Sequence, residues 1–103
     1  MMPRFLITYH NMLYPNPDYV TASRKALRAW ADEKLGDALV DFGSPLLLGG
    51  QLCSGQPADS VEISGFTIIQ ARSLAEARDL LSDHPYLARG ATIQIDECVE
   101  VDI

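Results

Sequence analysis

Two histidines, His10 and His84, are the residues of this sequence best suited to chemistry. Histidine is the side chain that exchanges protons most readily at neutral pH, so either ring could act as a general acid or base. Asp83 directly precedes His84, and Asp41 is a second carboxylate that could orient an imidazole. We therefore take His84, His10, Asp41 and Asp83 as candidate catalytic residues.

A second set of residues could hold a ligand. A tyrosine hydroxyl, from Tyr9 or Tyr14, could lie near His10, and the turn after Asp41 could present free backbone amides at the mouth of a pocket. Tyr86 follows His84 closely. The candidate ligand-binding residues are Tyr9, Gly43, Ser44 and Tyr86.

Each candidate also has a structural explanation. His84 could cap the dipole of a helix that Pro85 ends, and His10 could be an ordinary surface residue. Glycine and proline after Asp41 are sufficient to explain a turn or bulge there. Trp30 fits a buried helical stripe, so we expect it to pack in the core.

We expect neither a metal nor a cofactor. The two histidines are far apart, and the sequence has no HxH, HxxxH or paired-cysteine spacing. It contains no phosphate loop, no GxGxxG and no GxSxG motif. The acidic residues near the end of the chain, from Asp96 to Asp102, are better explained as a solvated sheet edge than as cation ligands.

The charge balance argues against a nucleic-acid partner. The chain has eight Lys and Arg and fourteen Asp and Glu, a net charge of −6. A protein that neutralises phosphates needs the opposite sign. The first thirty residues are the exception, since they hold four basic groups and one acid.

Length and composition predict one cytoplasmic domain over residues 1–103, with no membrane partner. The 103 residues are 48% hydrophobic and allow one modest core. No apolar run approaches the roughly 20 residues of a membrane helix, and the first ten residues do not resemble a secretory signal. Cys53 and Cys98 form no paired pattern, so we expect buried, inert thiols in a reducing compartment.

The first half of the chain predicts a strand, a helix and a second strand. Residues 5–10 alternate with the two-residue period of a strand. Asn16 and Pro17 are typical of a helix start, and Gly36 is a plausible left-handed end. Residues 38–53 are apolar but interrupted by glycine and proline, which predicts a strand that bends or carries a bulge, followed by a loop over 54–64.

The second half predicts a strand, a helix and a last strand. Residues 65–72 alternate, and Ser73 with Glu76 forms a capping box for a helix that ends near Asp83. Residues 91–101 form the last strand. Glu97 falls on its apolar face. Either its carboxylate points inward, or a bulge near Asp96 and Glu97 or a position at the sheet edge explains it, and we favour the bulge or the edge.

The order β-α-β-β-α-β predicts an α+β, ferredoxin-like domain with a four-stranded antiparallel sheet. Right-handed crossovers place both helices on one face of that sheet. The other face is left uncovered, and the alternation suggests that it is apolar. We therefore expect a homodimer formed through this face.

The segments 64–77 and 83–87 resemble the YCII-related proteins, in which a glycine-aromatic strand runs into a helix that ends in His-Pro. The resemblance extends back to Trp30 and to residues 39–46, so it covers most of the chain. It implies a dimeric α+β barrel of ferredoxin-like subunits, and some family members are thought to use a His and Asp pair. The family's first-helix histidine has no counterpart in residues 24–34, and its Asp-Gly-Pro-Phe motif is replaced at 59–64.

Three hypotheses of function follow. The first is a cytoplasmic homodimer that binds a small organic ligand in a cleft, with proton-transfer chemistry such as elimination or isomerisation. The second is a non-catalytic binding or regulatory dimer module. The third is a cofactor-free monooxygenase, because the same barrel hosts unrelated activities and a fold alone does not choose between them.

Overall fold

The computed structural model describes residues 2–12 and 16–102, which form two helices packed on one sheet. In chain order the elements are β1 (Arg4–His10), α1 (Pro17–Lys34), β2 (Leu39–Asp41), β3 (Gly65–Gln70), α2 (Leu74–Leu80) and β4 (Thr92–Glu97). The strands pair antiparallel in the order β2-β3-β1-β4. The ferredoxin-like α+β fold predicted from the sequence is confirmed.

Helix α1 begins and ends at the predicted signals. The side chain of Asn16, in an extended conformation, accepts a hydrogen bond of 2.8 Å from the amide of Tyr19, and Pro17 occupies the first turn. Leu35 is the C-cap, and Gly36 follows it with φ = +51°. The left-handed conformation at this position is one that glycine adopts without strain.

Helix α2 has half of the predicted capping box. The Ser73 hydroxyl accepts from the amide of Glu76 at 3.1 Å, whereas the Glu76 carboxylate pairs with Arg72 at 2.8 Å instead of reaching back to the cap. The helix ends at Leu80, earlier than the predicted end near Asp83. Tighter bonds of the 3-10 type, such as that from Ser82 to Asp79, replace the helical pattern over the last turn.

One face of the sheet carries the core. Phe5, Ile7 and Tyr9 of β1 are buried on this face together with Ile69 of β3. They pack against buried residues of both helices and of the turns that follow them, among which Leu27, Ala31, Ala77 and Leu81 are prominent. Both helices therefore cover a single face, as the topology predicted.

The opposite face, which we call the open face, has no helix over it in the described chain. Leu6, Phe66 and Ile68 lie at its centre and are half-buried. Polar residues surround them, among them Thr8 and His10 on β1 and Gln94 and Asp96 on β4. The open face is thus apolar only at its centre.

The second strand is much shorter than predicted. Only Leu39–Asp41 forms β2, with Leu39 paired to Ile69 and Asp41 paired to Ile68, so Val40 is the extra residue of a bulge. The predicted bulge is confirmed, but the segment predicted to continue the strand to residue 53 is unpaired apart from a bridge between Pro45 and Gly65. Proline and repeated glycine interrupt the pairing there.

Strand β4 ends at Glu97, four residues before the predicted end. Its pairing with β1 is regular from Thr92 to Glu97, with no bulge. Glu97 lies opposite Phe5 but remains exposed because β4 is the outer strand. The sheet-edge explanation therefore accounts for this carboxylate, which lies in no bulge and is not buried in the core.

The prediction that both cysteines are buried is wrong. Cys53 and Cys98 are exposed, and neither forms a disulfide. Both lie in segments without regular structure, one beyond β2 and one after β4, where no helix covers them.

Candidate functional site

His84 is held in the core by hydrogen bonds on both ring nitrogens. Its side chain is 2% exposed and lies in the turn that follows α2. The backbone N–H of Tyr86 donates to Nδ1 at 3.0 Å, so Nδ1 is an acceptor. The neutral ring therefore carries its proton on Nε2, which lies 3.1 Å from the Tyr9 hydroxyl.

A chain of hydrogen bonds continues from His84 across the sheet. The Thr67 hydroxyl donates to the carbonyl of Phe42 at 3.1 Å, which uses its only proton. The Tyr9 hydroxyl, 2.7 Å away, must then donate to Thr67 and accept from His84. Every link has one assigned direction, from the imidazole to the backbone of residue 42.

This environment keeps His84 uncharged. Burial lowers the pKa of its imidazole from 6.5 to about 4, against the opposing effect of the nearby Asp83 carboxylate. A second ring proton would lie on Nδ1, where it would face the donating N–H of Tyr86. The ring is thus a neutral donor at physiological pH.

Asp83 does not orient His84. Its carboxylate accepts a hydrogen bond of 3.1 Å from the indole N–H of Trp30. The Trp30 ring in turn lies 4.6 Å from the imidazole, centroid to centroid. Trp30 also packs against the core, as predicted. Tyr9 and Tyr86 contact the imidazole from other sides, each with its ring centroid 5.0 Å from that of His84.

His10 lies on the open face, on the other side of the sheet from Tyr9. A carbonyl oxygen accepts only, so Nδ1 donates to the backbone oxygen of Glu62 at 3.0 Å. Nε2 then accepts from the Thr8 hydroxyl at 2.9 Å. The half-buried ring is fixed in one tautomer, with Nε2 as its basic atom.

A cavity of about 310 Å³ lies where β1 ends and β3 begins. The residue after His10, Asn11, adopts φ = +63° and is the one residue other than glycine with a positive φ in the described ranges. Ser64 closes the base of the cavity, since its amide donates to the Tyr9 carbonyl at 2.6 Å and its hydroxyl accepts from Met12 at 3.4 Å. Its lining is Asn11, Met12, Glu62 and Ser64.

The segment from Asp41 to Ser44 is a structural turn. The Asp41 carboxylate accepts from the Gly43 amide at 2.8 Å, so that amide is already bonded. The Gly43 carbonyl accepts from Arg24, and the Ser44 hydroxyl donates to the Pro45 carbonyl. Asp41 was considered both as a carboxylate at the mouth of a pocket and as part of a turn, and the contacts it makes here are those of a turn.

The structure thus separates the predicted site residues into three groups. Tyr9, His84 and Tyr86 meet in the core, His10 lies on the open face, and Asp41, Gly43 and Ser44 form the turn. Neither imidazole hydrogen-bonds to a carboxylate in residues 2–12 and 16–102. Tyr14 lies outside the described residues.

Three contributors were not anticipated from the sequence. Thr67 alternates with the buried residues Gly65 and Ile69 of β3. A polar residue at such a position indicates a buried hydrogen bond, so the alternation contained a signal for Thr67. Glu62 and Asn11 belong to segments without periodicity, so their position beside His10 emerges only from the register between β1 and β3.

The described residues contain no cluster of three His, Cys, Asp or Glu side chains that could hold a metal ion. Within the same ranges, no helix is both long enough and apolar enough to cross a bilayer.

We compared the chain with protein-family models, with curated proteins and with solved structures, and none of the three comparisons gave a match.

Proposed function

We propose that this protein is a homodimer that binds a small organic molecule in the cavity at the end of β1. The observation that carries the proposal is the cavity itself, which measures about 310 Å³ and lies directly after the fixed imidazole of His10. A volume of that order is at the lower end of ordinary small-ligand sites, roughly 300–1,000 Å³. The resemblance to the YCII-related proteins supports the proposal, since it implies a ligand cleft in a dimeric barrel.

The lining indicates the chemistry of the ligand. Glu62 supplies a carboxylate, Asn11 an amide and Met12 an apolar surface. A carboxylate accepts hydrogen bonds and attracts positive charge. The cavity therefore fits a compound with a hydrogen-bond donor or an amine at one end and a small apolar part at the other.

Proton-transfer chemistry is the second candidate. It is favoured by the tautomer of His10, because Nδ1–H is held by a carbonyl and Nε2 is an acceptor. A base held in this way could remove a proton in an elimination or isomerisation. His84 is less suited to this role, because its ring is only 2% exposed and burial lowers its pKa to about 4.

We place this activity in the cytoplasm. The two cysteines are exposed and unpaired, as suits a reducing compartment.

The binding proposal is tested by thermal stabilisation against a panel of small aromatic, amine and lactone-like compounds. A ligand at 100 times its Kd should stabilise the fold by about 2.7 kcal/mol, which raises Tm by several degrees. Glu62→Gln should weaken the apparent affinity for the ligand at least tenfold, and so reduce the Tm shift at a given ligand concentration. Glu33→Gln, on the exposed side of α1, is the matched control and should retain it.

Two outcomes count against the proposal. If no compound in the panel shifts Tm, the non-catalytic regulatory module is the better account. If a compound shifts Tm equally in the wild type and in Glu62→Gln, the ligand does not occupy this cavity. A bound compound that is also turned over, with turnover lost in His10→Gln and binding kept, would establish the catalytic candidate.

A further inference from the structure

Residues 46–63 form an apolar arm that leaves the body of the protein. The arm begins and ends at the bridge between Pro45 and Gly65, where the amide of Leu46 donates to the Ser64 carbonyl at 3.0 Å. Leu47 is 97% exposed and Leu52 is 103% exposed, so neither side chain contacts the rest of the chain appreciably. We call this segment the arm.

The leucine-rich part of the arm is uncharged, and its two acidic residues, Asp59 and Glu62, lie near its return to the sheet. No Asp, Glu, Lys or Arg occurs from Phe42 to Ala58. Exposed apolar residues scattered singly are normal, but here Leu46, Leu47, Leu48 and Leu52 are exposed within one short segment. Burial of these leucines against another apolar surface would stabilise the segment.

The shape of the molecule indicates that most of the arm extends away from its own body, whereas Glu62 near its end accepts a hydrogen bond from His10. The radius of gyration is 15.0 Å, whereas a compact chain of this length has about 13 Å. The extents are 45 × 44 × 18 Å. The smallest extent leaves room for one helix layer and one sheet layer, so the arm extends sideways rather than across the open face.

From these features we propose that the arm of each protomer packs against the open face of a second copy of this chain. The inference rests on the homodimer of the proposed function and adds the segment that holds it together. Leu6, Phe66 and Ile68 form an apolar, uncharged centre of the open face, against which the leucines of the arm can pack. Arm and open face together provide about 28 residues, within the 20–30 per side of a stable interface.

The arm is long enough for this contact. Half of its length, about nine residues, spans roughly 30 Å when extended, and a four-stranded sheet is roughly 19 Å wide. Glu62 near the end of the arm and Ser64 just beyond it line the cavity at the end of β1. Exchange of arms would therefore place the partner beside the proposed ligand site.

The first test measures the dimer dissociation constant by analytical ultracentrifugation. Leu47→Asp/Leu52→Asp should weaken the dimer at least tenfold without changing circular dichroism, because both side chains are exposed in the protomer. Leu87→Asp is the matched control, since Leu87 is an exposed leucine outside the arm and off the sheet, in the turn after α2, and it should leave the constant unchanged.

The outcomes separate this inference from the proposed dimer. A wild-type chain that is monomeric at micromolar concentration overturns both. If the wild type is dimeric and the double arm variant matches it within twofold, the arm inference is overturned. In that case, dissociation by Ile68→Lys would still support a dimer formed through the open face alone.

A second test detects the contact itself. One chain carries Cys98→Ser and keeps Cys53 in the arm, and the other carries Cys53→Ser, Cys98→Ser and Gln94→Cys on the open face. A short bismaleimide should link the two chains in the mixture, and adding Leu47→Asp/Leu52→Asp to the first chain should abolish the link. Equal linkage with and without the arm substitutions would overturn the inference.

Discussion

At the scale of single residues, His84 shows how a titratable group becomes part of a core. The ring has one partner that donates and one that accepts, which is the pattern a neutral imidazole satisfies. The aromatic rings of Tyr9, Trp30 and Tyr86 surround it. In the charged form Nδ1 would carry a proton and could no longer accept from the Tyr86 amide, so the fold itself selects the neutral form.

This arrangement predicts a loss of stability in mild acid. The pKa of His84 is about 4 in the folded protein and 6.5 in the unfolded chain, so the unfolded chain binds more protons between these values. The stabilisation is complete above pH 6.5 and is lost as the pH falls toward 4. A shift of this size corresponds to about 3 kcal/mol in the free energy of unfolding.

Urea unfolding from pH 7.5 to 4 measures this effect. His84→Gln keeps a donor for the Tyr9 hydroxyl but does not titrate, so its free energy of unfolding should vary less over the same range. His10→Gln controls for the loss of a histidine elsewhere. Parallel pH dependence in the wild type and in His84→Gln would contradict the burial argument.

At the scale of elements, the turn after β2 sets the path of the chain away from the sheet. Gly43 has φ = +78°, and a Cβ atom built on it would overlap the carbonyl oxygen of Phe66. Its amide and carbonyl are both bonded, to Asp41 and to Arg24. The turn thus holds the end of β2 against β3 and directs the following residues outward.

Gly43→Ala should be among the most destabilising single substitutions outside the core. The left-handed conformation alone costs a residue with a Cβ about 1–2 kcal/mol, and relief of the overlap with Phe66 adds to that. Gly36→Ala is the matched control, because Gly36 also has a positive φ but nothing lies within 4 Å of its Cβ position.

Chemical denaturation of the two variants measures the difference. Gly36→Ala should lose only the conformational part, about 1–2 kcal/mol, and Gly43→Ala should lose distinctly more. Equal losses would mean that the backbone near Phe66 yields to the added methyl group.

At the scale of the whole molecule, the protomer exposes apolar surface in two places. One face of the sheet is covered by helices, the other has an apolar centre without a helix, and the arm exposes several leucines. Fully burying one leucine side chain is worth about 1.5–3 kcal/mol, so the arm alone carries a substantial drive to associate. The proposed second copy would cover the centre of the open face and the leucines of the arm together.

Association of this kind makes thermal stability depend on concentration. If the folded dimer is the stable species, raising the protein concentration a hundredfold should increase Tm by several degrees, because mass action favours the associated state. Leu47→Asp/Leu52→Asp should show a weaker dependence. Calorimetry at several concentrations measures this, and a wild-type Tm that does not change would argue for an independently stable monomer.

The local features of the fold could be predicted from neighbouring residues. Asn16 with Pro17 and Ser73 with Glu76 marked the helix starts, because capping depends on residues within one turn of each other. The alternation of residues 5–10 identified β1 as a strand, because a strand has a period of two. These elements in their order were enough to give the topology.

The contacts of the candidate sites depended on distant residues. Tyr9 and His84 are separated by 75 positions, and no local pattern indicates that their side chains share a hydrogen bond. The sequence suggested that the Asp83 carboxylate would orient the His84 ring. The packing of α1 instead brings Trp30 next to Asp83, and the carboxylate accepts from the indole N–H. Adjacent residues need not face each other, whereas the register of the sheet decides which distant ones do.

The sequence by itself determined the order of elements and the starts of the two helices, because each of these follows from side chains within a few positions. Only the tertiary structure decided that His84 is a neutral core residue, that His10 lies beside a cavity and that the apolar stretch after β2 is an exposed arm. The physical reason is that hydrogen-bond partners, burial and exposure are properties of the space around a side chain, and that space is filled by residues far away in the sequence.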